Sequence, residues 1–302
     1  MNDYSVKAIR QEFKKNGVFY TQRELAEYLK GLLPANVDKV YDPTCGNGGL
    51  LSVFGDDVEK YGQEINAEQL HAAEERLTNF HGAVGDTLQC PAFADMKFDC
   101  IVANPPFSIK WEPFADARFL VAPVLPPPSK ADYAFNLHIL HYLSDNGTAV
   151  VLNFPGILYR GNREGKIRQW LIENNYIDKV IAIPGNKFQD TAISTCVIVY
   201  RKNKPNTDIT FIDDATGKQR TVTQDEVEEN GFVLSVSTYI QPDEAREKVD
   251  PDGLERHARE KFIARLRGEL DFDLTVCRLD RFVFSDFLDQ IQAVINEFRG
   301  KI

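Results

Sequence analysis

Short apolar segments alternate with amphipathic helical segments along the first two-thirds of the chain. The pattern predicts strands at 39–42, 58–63, 83–86 and 98–103, with helices at 22–33 and 67–80. Strands that alternate with helices favour an α/β fold with a Rossmann-like, doubly wound and mostly parallel sheet. Such a sheet also constrains where a site can lie, because ligands of open α/β sheets bind outside the carboxyl ends of the strands.

The alternation resumes after a proline-rich stretch at 108–128, which has the length of a functional or disordered loop. Further helices and strands are predicted at 129–143, 148–153, 165–174, 179–183 and 193–200. Residues 202–206 have the composition of a linker, so we expect a first domain at 1–202 and a small α+β or helical extension at 203–302. In that extension we expect a hairpin (209–211 with 220–223) and helices at 251–268 and 285–299.

Composition excludes several classes of protein. No apolar run approaches the roughly 18 residues of a membrane span, and the N-terminus lacks the apolar core of a signal peptide. The five cysteines are scattered and form no C-x-x-C pair, so we expect reduced thiols in a cytoplasmic protein and no metal site.

A glycine-rich turn follows the first strand, with the sequence Asp-Pro-Thr-Cys-Gly-Asn-Gly-Gly from Asp42 to Gly49. Glycines there let the backbone approach a ligand closely. Position 51 is Leu, so the third glycine of the dinucleotide fingerprint is missing. An acid ahead of the loop suits a cationic ligand such as S-adenosyl-L-methionine, whose α-amino group Asp42 would face. The loop residues expected at this cofactor site are Pro43, Thr44, Cys45, Gly46 and Gly48.

Acidic residues also close the next two predicted strands. Glu64 is placed to bind both ribose hydroxyls of a nucleoside, and Asp86 to accept a hydrogen bond from the adenine amino group. Taken singly, each is equally explained as a solvated strand-end acid or a turn-starting Asp. Three acids at three successive strand ends favour a shared ligand.

The segment Phe19-Tyr20-Thr21 precedes the first predicted helix. Backbone amides and the Thr21 hydroxyl at a helix N-terminus suit the carboxylate of the cofactor. The alternative is an ordinary N-cap at Thr21, paired with Glu24 in a capping box and with Phe19 or Tyr20 as a hydrophobic staple.

The strand at 98–103 ends in Asn104-Pro105-Pro106-Phe107, the candidate catalytic motif. The side-chain oxygen of Asn104 and the carbonyl of Pro105 can both accept hydrogen bonds from one exocyclic amino group. The two prolines stiffen the turn, and the Phe107 ring offers a flat face to a planar base. Asn-Pro also occurs in ordinary turns, so the motif indicates a catalytic site only in combination with the glycine-rich loop upstream.

Basic residues near this face are candidates for contact with phosphate groups, although for each one a solvated surface charge is the simpler interpretation. They are Arg118, Lys130, Arg160, Arg163, Lys166 and Arg168. The first 202 residues hold 21 basic and 24 acidic residues, whereas residues 203–302 hold 14 and 21. A surface that meets a polyanion is therefore expected on the N-terminal part, and the acidic extension suits protein contact.

The order of these motifs resembles the N6-adenine DNA methyltransferases whose cofactor motifs precede the catalytic one. The closer resemblance is to the modification (M) subunit of type I restriction-modification systems, and it covers roughly residues 10 to 240. Other stretches that carry it are Ser129 to Phe135, Phe154 to Arg160 with Ile167-Arg168, and Asn230 to Ile240. Such subunits usually carry a larger helical region ahead of the cofactor motif, which leaves open how this chain assembles.

The resemblance implies a class I S-adenosylmethionine-dependent methyltransferase fold and site-specific methylation of a flipped-out adenine in double-stranded DNA. It implies a specificity (S) subunit and a second copy of the chain as partners. Two alternatives remain: the same chemistry on a protein glutamine or an RNA base, and a non-catalytic subunit that binds cofactor or DNA. We expect the late helices to contact the specificity subunit, or the chain's own core, through an apolar stripe of Phe282, Phe284, Phe287, Leu288, Ile291, Val294 and Ile295.

Overall fold

The structure is a computed structural model that describes residues 21–185, 187, 194–241, 255–256, 259–265, 267 and 284–299. The chain divides into one compact unit that ends at Pro242 and a second that begins at Asp243. No helix among the described residues is long and apolar enough to cross a membrane.

The first unit is built on a sheet whose nine strands lie in the order β3-β2-β1-β4-β5-β7-β6-β8-β9. The strands are β1 (Lys39–Asp42), β2 (Glu59–Glu64), β3 (Phe80–Val84), β4 (Phe98–Ala103), β5 (Leu143–Asn153), β6 (Ile177–Ile183), β7 (Thr195–Arg201), β8 (Ile209–Asp213) and β9 (Lys218–Val222). Only β7 and β9 run antiparallel to the others. The mostly parallel, doubly wound sheet is therefore confirmed. Its order reverses between β1 and β4, the kind of place where such sheets bind ligands.

Helices cover both faces of this sheet. The first unit contains α1 (Arg23–Lys30), α2 (Ala67–Arg76), α3 (Ala117–Leu120), α4 (Asp132–Tyr142), α5 (Asn162–Glu173), α6 (Gln224–Glu229) and α7 (Val236–Tyr239). Successive residues of β4 enter different apolar clusters: Ile101 and Ala103 join the one that includes α4, and Cys100 and Val102 the one that includes α1. This alternation follows from the twofold period of strand side chains.

Several element bounds differ from the sequence prediction. Helix α2 ends at Arg76 because Leu77 is already extended, and β3 therefore begins at Phe80 and ends two residues before Asp86. The predicted N-cap at Thr21 is wrong: the N-cap of α1 is Gln22, whose side chain forms no capping hydrogen bond. The predicted loop at 108–128 contains the short helix α3.

The residues after 202 continue the sheet. The predicted hairpin is confirmed as β8 and β9, and β8 pairs in parallel with β6. The compact unit therefore runs to Pro242, beyond the boundary at 202/203 that the linker composition predicts.

The described part of the second unit is helical. Helix α8 (Phe284–Arg299) confirms the last predicted helix, and residues 255–256, 259–265 and 267 are helical within the predicted 251–268. On α8, Leu288 and Ile295 are exposed, whereas Phe282 lies outside the described residues.

Gly62 of β2 allows the glycine-rich loop to pack directly on the sheet. A Cβ atom at Gly62 would lie 2.7 Å from Cys45 Sγ and 2.8 Å from a ring carbon of Phe80. We predict that Gly62→Ala lowers the free energy of unfolding by about 1–3 kcal/mol through overpacking. In contrast, Gly165→Ala in helix α5 meets only ordinary contacts and should be neutral or stabilising. Urea denaturation of both variants tests this, and equal stabilities would contradict it.

Candidate functional site

A cavity of about 570 Å³ opens at the carboxyl ends of β1, β2, β3 and β4, where the strand order reverses. It brings together nine of the residues that the sequence singles out: Pro43, Thr44, Gly46, Glu64, Asp86, Asn104, Pro105, Pro106 and Phe107. Thr21, Asp42, Cys45 and Gly48 do not line it, although each lies in a segment that borders it. Phe19 and Tyr20 lie outside the described residues.

The glycine loop takes a conformation that favours glycine. Gly46 and Gly48 have φ angles of 52° and 76°, in the left-handed region. A Cβ atom at Gly48 would lie 2.7 Å from Leu77, whereas one at Gly46 would meet nothing within 4 Å. Gly48 is thus needed for packing against helix α2, and Gly46 leaves open space beside the cavity.

Glu64 joins the glycine loop to the end of β2. Its Oε2 accepts a hydrogen bond from Gly46 N at 3.0 Å, and its Oε1 accepts one from Asn66 N at 2.9 Å. Each carboxylate oxygen has a second lone pair. Glu64 therefore shapes the loop and still offers two acceptors on the cavity wall.

Asp42 lies behind the cavity wall, with 1% of its surface exposed. Its Oδ1 accepts hydrogen bonds from Thr44 N at 3.0 Å and from Thr44 Oγ1 at 3.4 Å. Burial raises the pKa of this carboxyl to about 7, with a smaller contribution from the Glu64 charge and opposition from the Thr44 hydrogen bonds. Asp42 thus organises Thr44, which lines the cavity.

The Asn104 side chain is held in one orientation by the segment ahead of helix α1. Asn104 Nδ2 donates a hydrogen bond to Thr21 Oγ1 at 3.3 Å. Thr21 itself crosses close over the glycine loop, since a Cβ atom at Gly49 would lie 2.9 Å from the Thr21 carbonyl oxygen. Thr21 therefore orients the Asn104 amide: its nitrogen is hydrogen-bonded, whereas its oxygen has no hydrogen-bond partner among the residues that the structure describes.

Asp86 begins a tight turn after β3. Its Oδ1 accepts from Leu88 N at 2.8 Å and from Gln89 N at 3.3 Å, which confirms the turn-starting interpretation of this residue. Thr87 Oγ1 donates to the carbonyl of Pro43 at 2.5 Å and so joins the turn to the glycine loop. Asp86 nevertheless lines the cavity, so the turn and a ligand contact are compatible.

Eleven of the twenty residues that line the cavity were not among the predicted site residues, and three of the eleven stand out. Gln69, on the first turns of α2, has a buried Oε1 without a hydrogen-bond partner among the described residues. Ile65 is 68% exposed although it is apolar. Trp111 comes from the proline-rich stretch, where its Nε1 donates to the Pro127 carbonyl at 3.0 Å. Of these, only Ile65 had a usable signal in the sequence, as the apolar neighbour of Glu64.

Two of the six basic residues considered for phosphate contact are buried inside the protein. Arg118 is 2% exposed and Arg168 is 3% exposed. Arg168 donates to the carbonyls of Phe232 and Arg160, at 2.7 Å and 2.8 Å, and thereby joins the segment before α7 to the turn before α5. Neither the solvated nor the phosphate-facing interpretation holds for these two residues. Arg163 is exposed.

The comparisons with known proteins decide the family. Residues 3–221 match the model of the N-6 DNA methylase family. The chain belongs to this family. A methylase subunit of the type I restriction enzyme MpnII from Mycoplasma pneumoniae is 31% identical, in an alignment that covers 78% of this chain and 55% of that protein. The chain thus spans about half the length of that relative.

Solved structures agree. A type I restriction-modification methyltransferase subunit from Streptococcus thermophilus superposes with a TM-score of 0.66 at 31% identity, over 72% of this chain and 58% of that one. A Listeria monocytogenes protein described as a class I S-adenosylmethionine-dependent methyltransferase shares the fold, with a TM-score of 0.50 at 16% identity over 70% and 74% of the two chains. The predicted fold class and the resemblance to type I modification subunits are therefore confirmed.

Among the described residues, no group of three or more His, Cys, Asp or Glu side chains is arranged to hold a metal ion.

The raised pKa of Asp42 predicts a pH-dependent difference in stability. Between its ordinary value of 3.8 and about 7, the folded chain holds a proton on Asp42 that the unfolded chain has lost. Stability from this group is thus present below pH 4 and is lost as the pH rises through 7. We predict that raising the pH from 4 to 8 destabilises the wild-type chain, relative to Asp42→Asn, by a few kcal/mol at roughly 1.4 kcal/mol per pKa unit. The free energy of unfolding of both proteins is measured by denaturation at pH 4 and at pH 8, and an equal change for the two proteins would refute this.

Proposed function

We propose that this chain transfers a methyl group from S-adenosyl-L-methionine to the N6 amino group of adenine in double-stranded DNA. The observation that carries the proposal is the Asn104 amide. Its nitrogen donates to Thr21, so its oxygen is the acceptor left for a substrate, on the wall of the same cavity as the glycine loop and Glu64.

The residues of the cavity fit the cofactor. The open space at Gly46 admits the methionine portion, and the Glu64 carboxylate suits the ribose hydroxyls. The buried Gln69 Oε1 is an acceptor without a partner among the described residues, which a hydroxyl would satisfy. Ile65, Phe135 and Asp86 also line the cavity; Ile65 and Phe135 would give the adenine apolar contacts, and Asp86 would accept a hydrogen bond from its amino group. When bound, S-adenosyl-L-methionine supplies an electrophilic methyl group on its sulfonium.

Asn104, Pro105 and Phe107 act on the substrate base. The adenine must leave the duplex to reach a pocket of this kind, and stacking on Phe107 would contribute about 1–3 kcal/mol to holding it there. Asn104 Oδ1 and the Pro105 carbonyl would accept hydrogen bonds from the two hydrogens of the amino group, which frees the nitrogen lone pair from conjugation with the ring. The nitrogen takes the methyl group, S-adenosylhomocysteine is the leaving group, and the methylated nitrogen loses one proton to solvent. Catalysis then rests on position and on preorganised polar groups.

We propose that recognition of a DNA sequence depends on a specificity subunit bound to the C-terminal unit, as part of an assembly with a second copy of the chain. Two observations support this: the relatives are themselves named as subunits, and α8 exposes Leu288 and Ile295. The acidic balance of residues 203–302 disfavours a direct DNA contact there. The family match favours DNA over the alternative protein or RNA substrates.

Asn104→Ala tests the catalytic assignment. We predict that the methyl-transfer rate falls by about 10² or more, because one aimed polar group is lost, while the affinity for S-adenosylmethionine stays within a few-fold. The exposed Asn146 provides the matched control, since Asn146→Ala should change neither quantity. The rate is measured as radiolabelled methyl transfer and the affinity by calorimetry. Near-normal transfer by Asn104→Ala would contradict the mechanism.

Glu64→Ala tests the cofactor assignment. We expect the affinity for S-adenosylmethionine to fall by about tenfold to a hundredfold, since hydrogen bonds to a charged group contribute roughly 1.5–3 kcal/mol. Glu59→Ala, at the opposite end of β2, should retain the wild-type affinity. Calorimetric titration of both variants decides the point, and an unchanged affinity for Glu64→Ala would show that the cofactor lies elsewhere.

A further inference from the structure

Arg118 is a buried cation inside the proline-rich stretch 108–128, to which the proposed chemistry gives no role. It is 2% exposed, and it forms a two-pronged ion pair with Asp116 from the residue ahead of α3. The Arg118 Nε–Asp116 Oδ1 distance is 2.8 Å, and the Nη2–Asp116 Oδ2 distance is 3.0 Å. A buried arginine with this geometry holds a fixed orientation, because the guanidinium is planar and its five N–H groups point in fixed directions.

Two further N–H groups of Arg118 point at the turn that begins at Asp86. Arg118 Nη1 donates to the carbonyl of Thr87 at 2.9 Å, and Nη2 donates to the carbonyl of Leu88 at 2.7 Å. Both residues line the cavity. The wall of the cavity next to Asp86 is therefore held from behind by a side chain that does not itself line the cavity.

The same guanidinium ties this turn to strand β1 through His138 of α4. Arg118 Nη1 lies 3.0 Å from His138 Nδ1, and because arginine can only donate, Nδ1 must be the acceptor. His138 is then neutral with its proton on Nε2, which donates to the Tyr41 hydroxyl at 3.2 Å. Burial, followed by the Arg118 charge, lowers the pKa of His138 well below 6.5, which agrees with a neutral ring.

We propose that Arg118 is a positioning residue for cofactor binding. It holds residues 86–89 in the conformation that presents Asp86, Thr87 and Leu88 to the adenine end of S-adenosyl-L-methionine. The proposal rests on the proposed function, because it takes the cavity as the cofactor site. The stretch 108–128 also reaches the cavity directly, since Ile109, Lys110, Trp111 and Glu112 line it, and Gln89 Nε2 donates to the Glu112 carbonyl at 3.3 Å.

Arg118→Lys keeps the charge and removes the fork that reaches two carbonyls at once. We expect the dissociation constants of S-adenosylhomocysteine and of adenosine, measured by calorimetry, to rise together by about tenfold, as for one lost charge-assisted hydrogen bond. The KM for S-adenosylmethionine should rise by a similar factor, while kcat at saturation stays within about threefold. This combination indicates that the substitution weakens binding equally in the ground state and in the transition state. Unchanged dissociation constants, or a lower kcat at unchanged KM, would overturn the proposal.

Asp116→Asn keeps the test decisive if Arg118→Lys does not fold. The amide removes the charge that orients Arg118 but keeps an acceptor oxygen, and the Asp116 side chain is partly exposed. We expect a smaller rise in both dissociation constants at an unchanged melting temperature to within a few degrees; a folded variant with wild-type affinity would overturn the proposal. Arg201→Lys, at the exposed end of β7, is the control and should match the wild type.

Calorimetric titration of the wild-type chain tests the cofactor site separately from the role of Arg118. If the wild-type chain binds neither S-adenosylhomocysteine nor adenosine, the cofactor site itself is wrong and the Arg118 role falls with it. If the wild-type chain binds both and the folded Arg118→Lys and Asp116→Asn variants bind equally well, only the Arg118 role is refuted.

Discussion

The site depends on the register of parallel strands on either side of β1. Tyr41 pairs with Tyr61 of β2 on one side and with Ile101 of β4 on the other. Strand ends that are far apart in sequence therefore meet at one edge of the sheet, and the order reverses there, so a cleft opens between the loops that follow. Glu64 then reaches the glycine loop at Gly46, and Asn104 reaches Thr21. A shift of one residue in this register would direct the side chains at the strand ends, Glu64 and Asn104, to the other face of the sheet.

The acids at the strand ends have a structural role as well as a proposed ligand-binding one. Asp42, Glu64 and Asp86 each accept a hydrogen bond from a backbone amide of the loop that follows their strand, and Glu64 accepts a second one from Gly46 in the loop after β1. Their first effect is to fix those loops, and only the remaining lone pairs are available to a cofactor. The choice between a turn-forming acid and a ligand-binding acid is thus not exclusive. Of the three acids, Asp42 has the most clearly structural role, because it is buried behind Thr44.

Local patterns in the sequence predicted the sheet class, most strands and nine residues of the cavity wall. They succeeded because strand alternation, glycine turns and Asn-Pro-Pro-Phe are encoded within a few neighbouring residues. They failed where a long-range contact decides. Thr21 has the type and position of an N-cap, yet its hydroxyl accepts from Asn104, 83 residues away. Arg118 resembles a surface charge until the carbonyls of Thr87 and Leu88 are seen beside it. The compact unit extends past residue 202 because β8 pairs with β6.

The most direct test of the central claim is transfer of a tritiated methyl group from S-adenosylmethionine to unmethylated genomic DNA by the purified chain, followed by nucleoside analysis. The account predicts label in N6-methyladenine, either with the chain by itself or after addition of a specificity subunit. Free RNA and protein offered in parallel should stay unlabelled. Label in another base, in RNA or in protein would contradict the account, as would a chain that fails to bind S-adenosylmethionine in calorimetry.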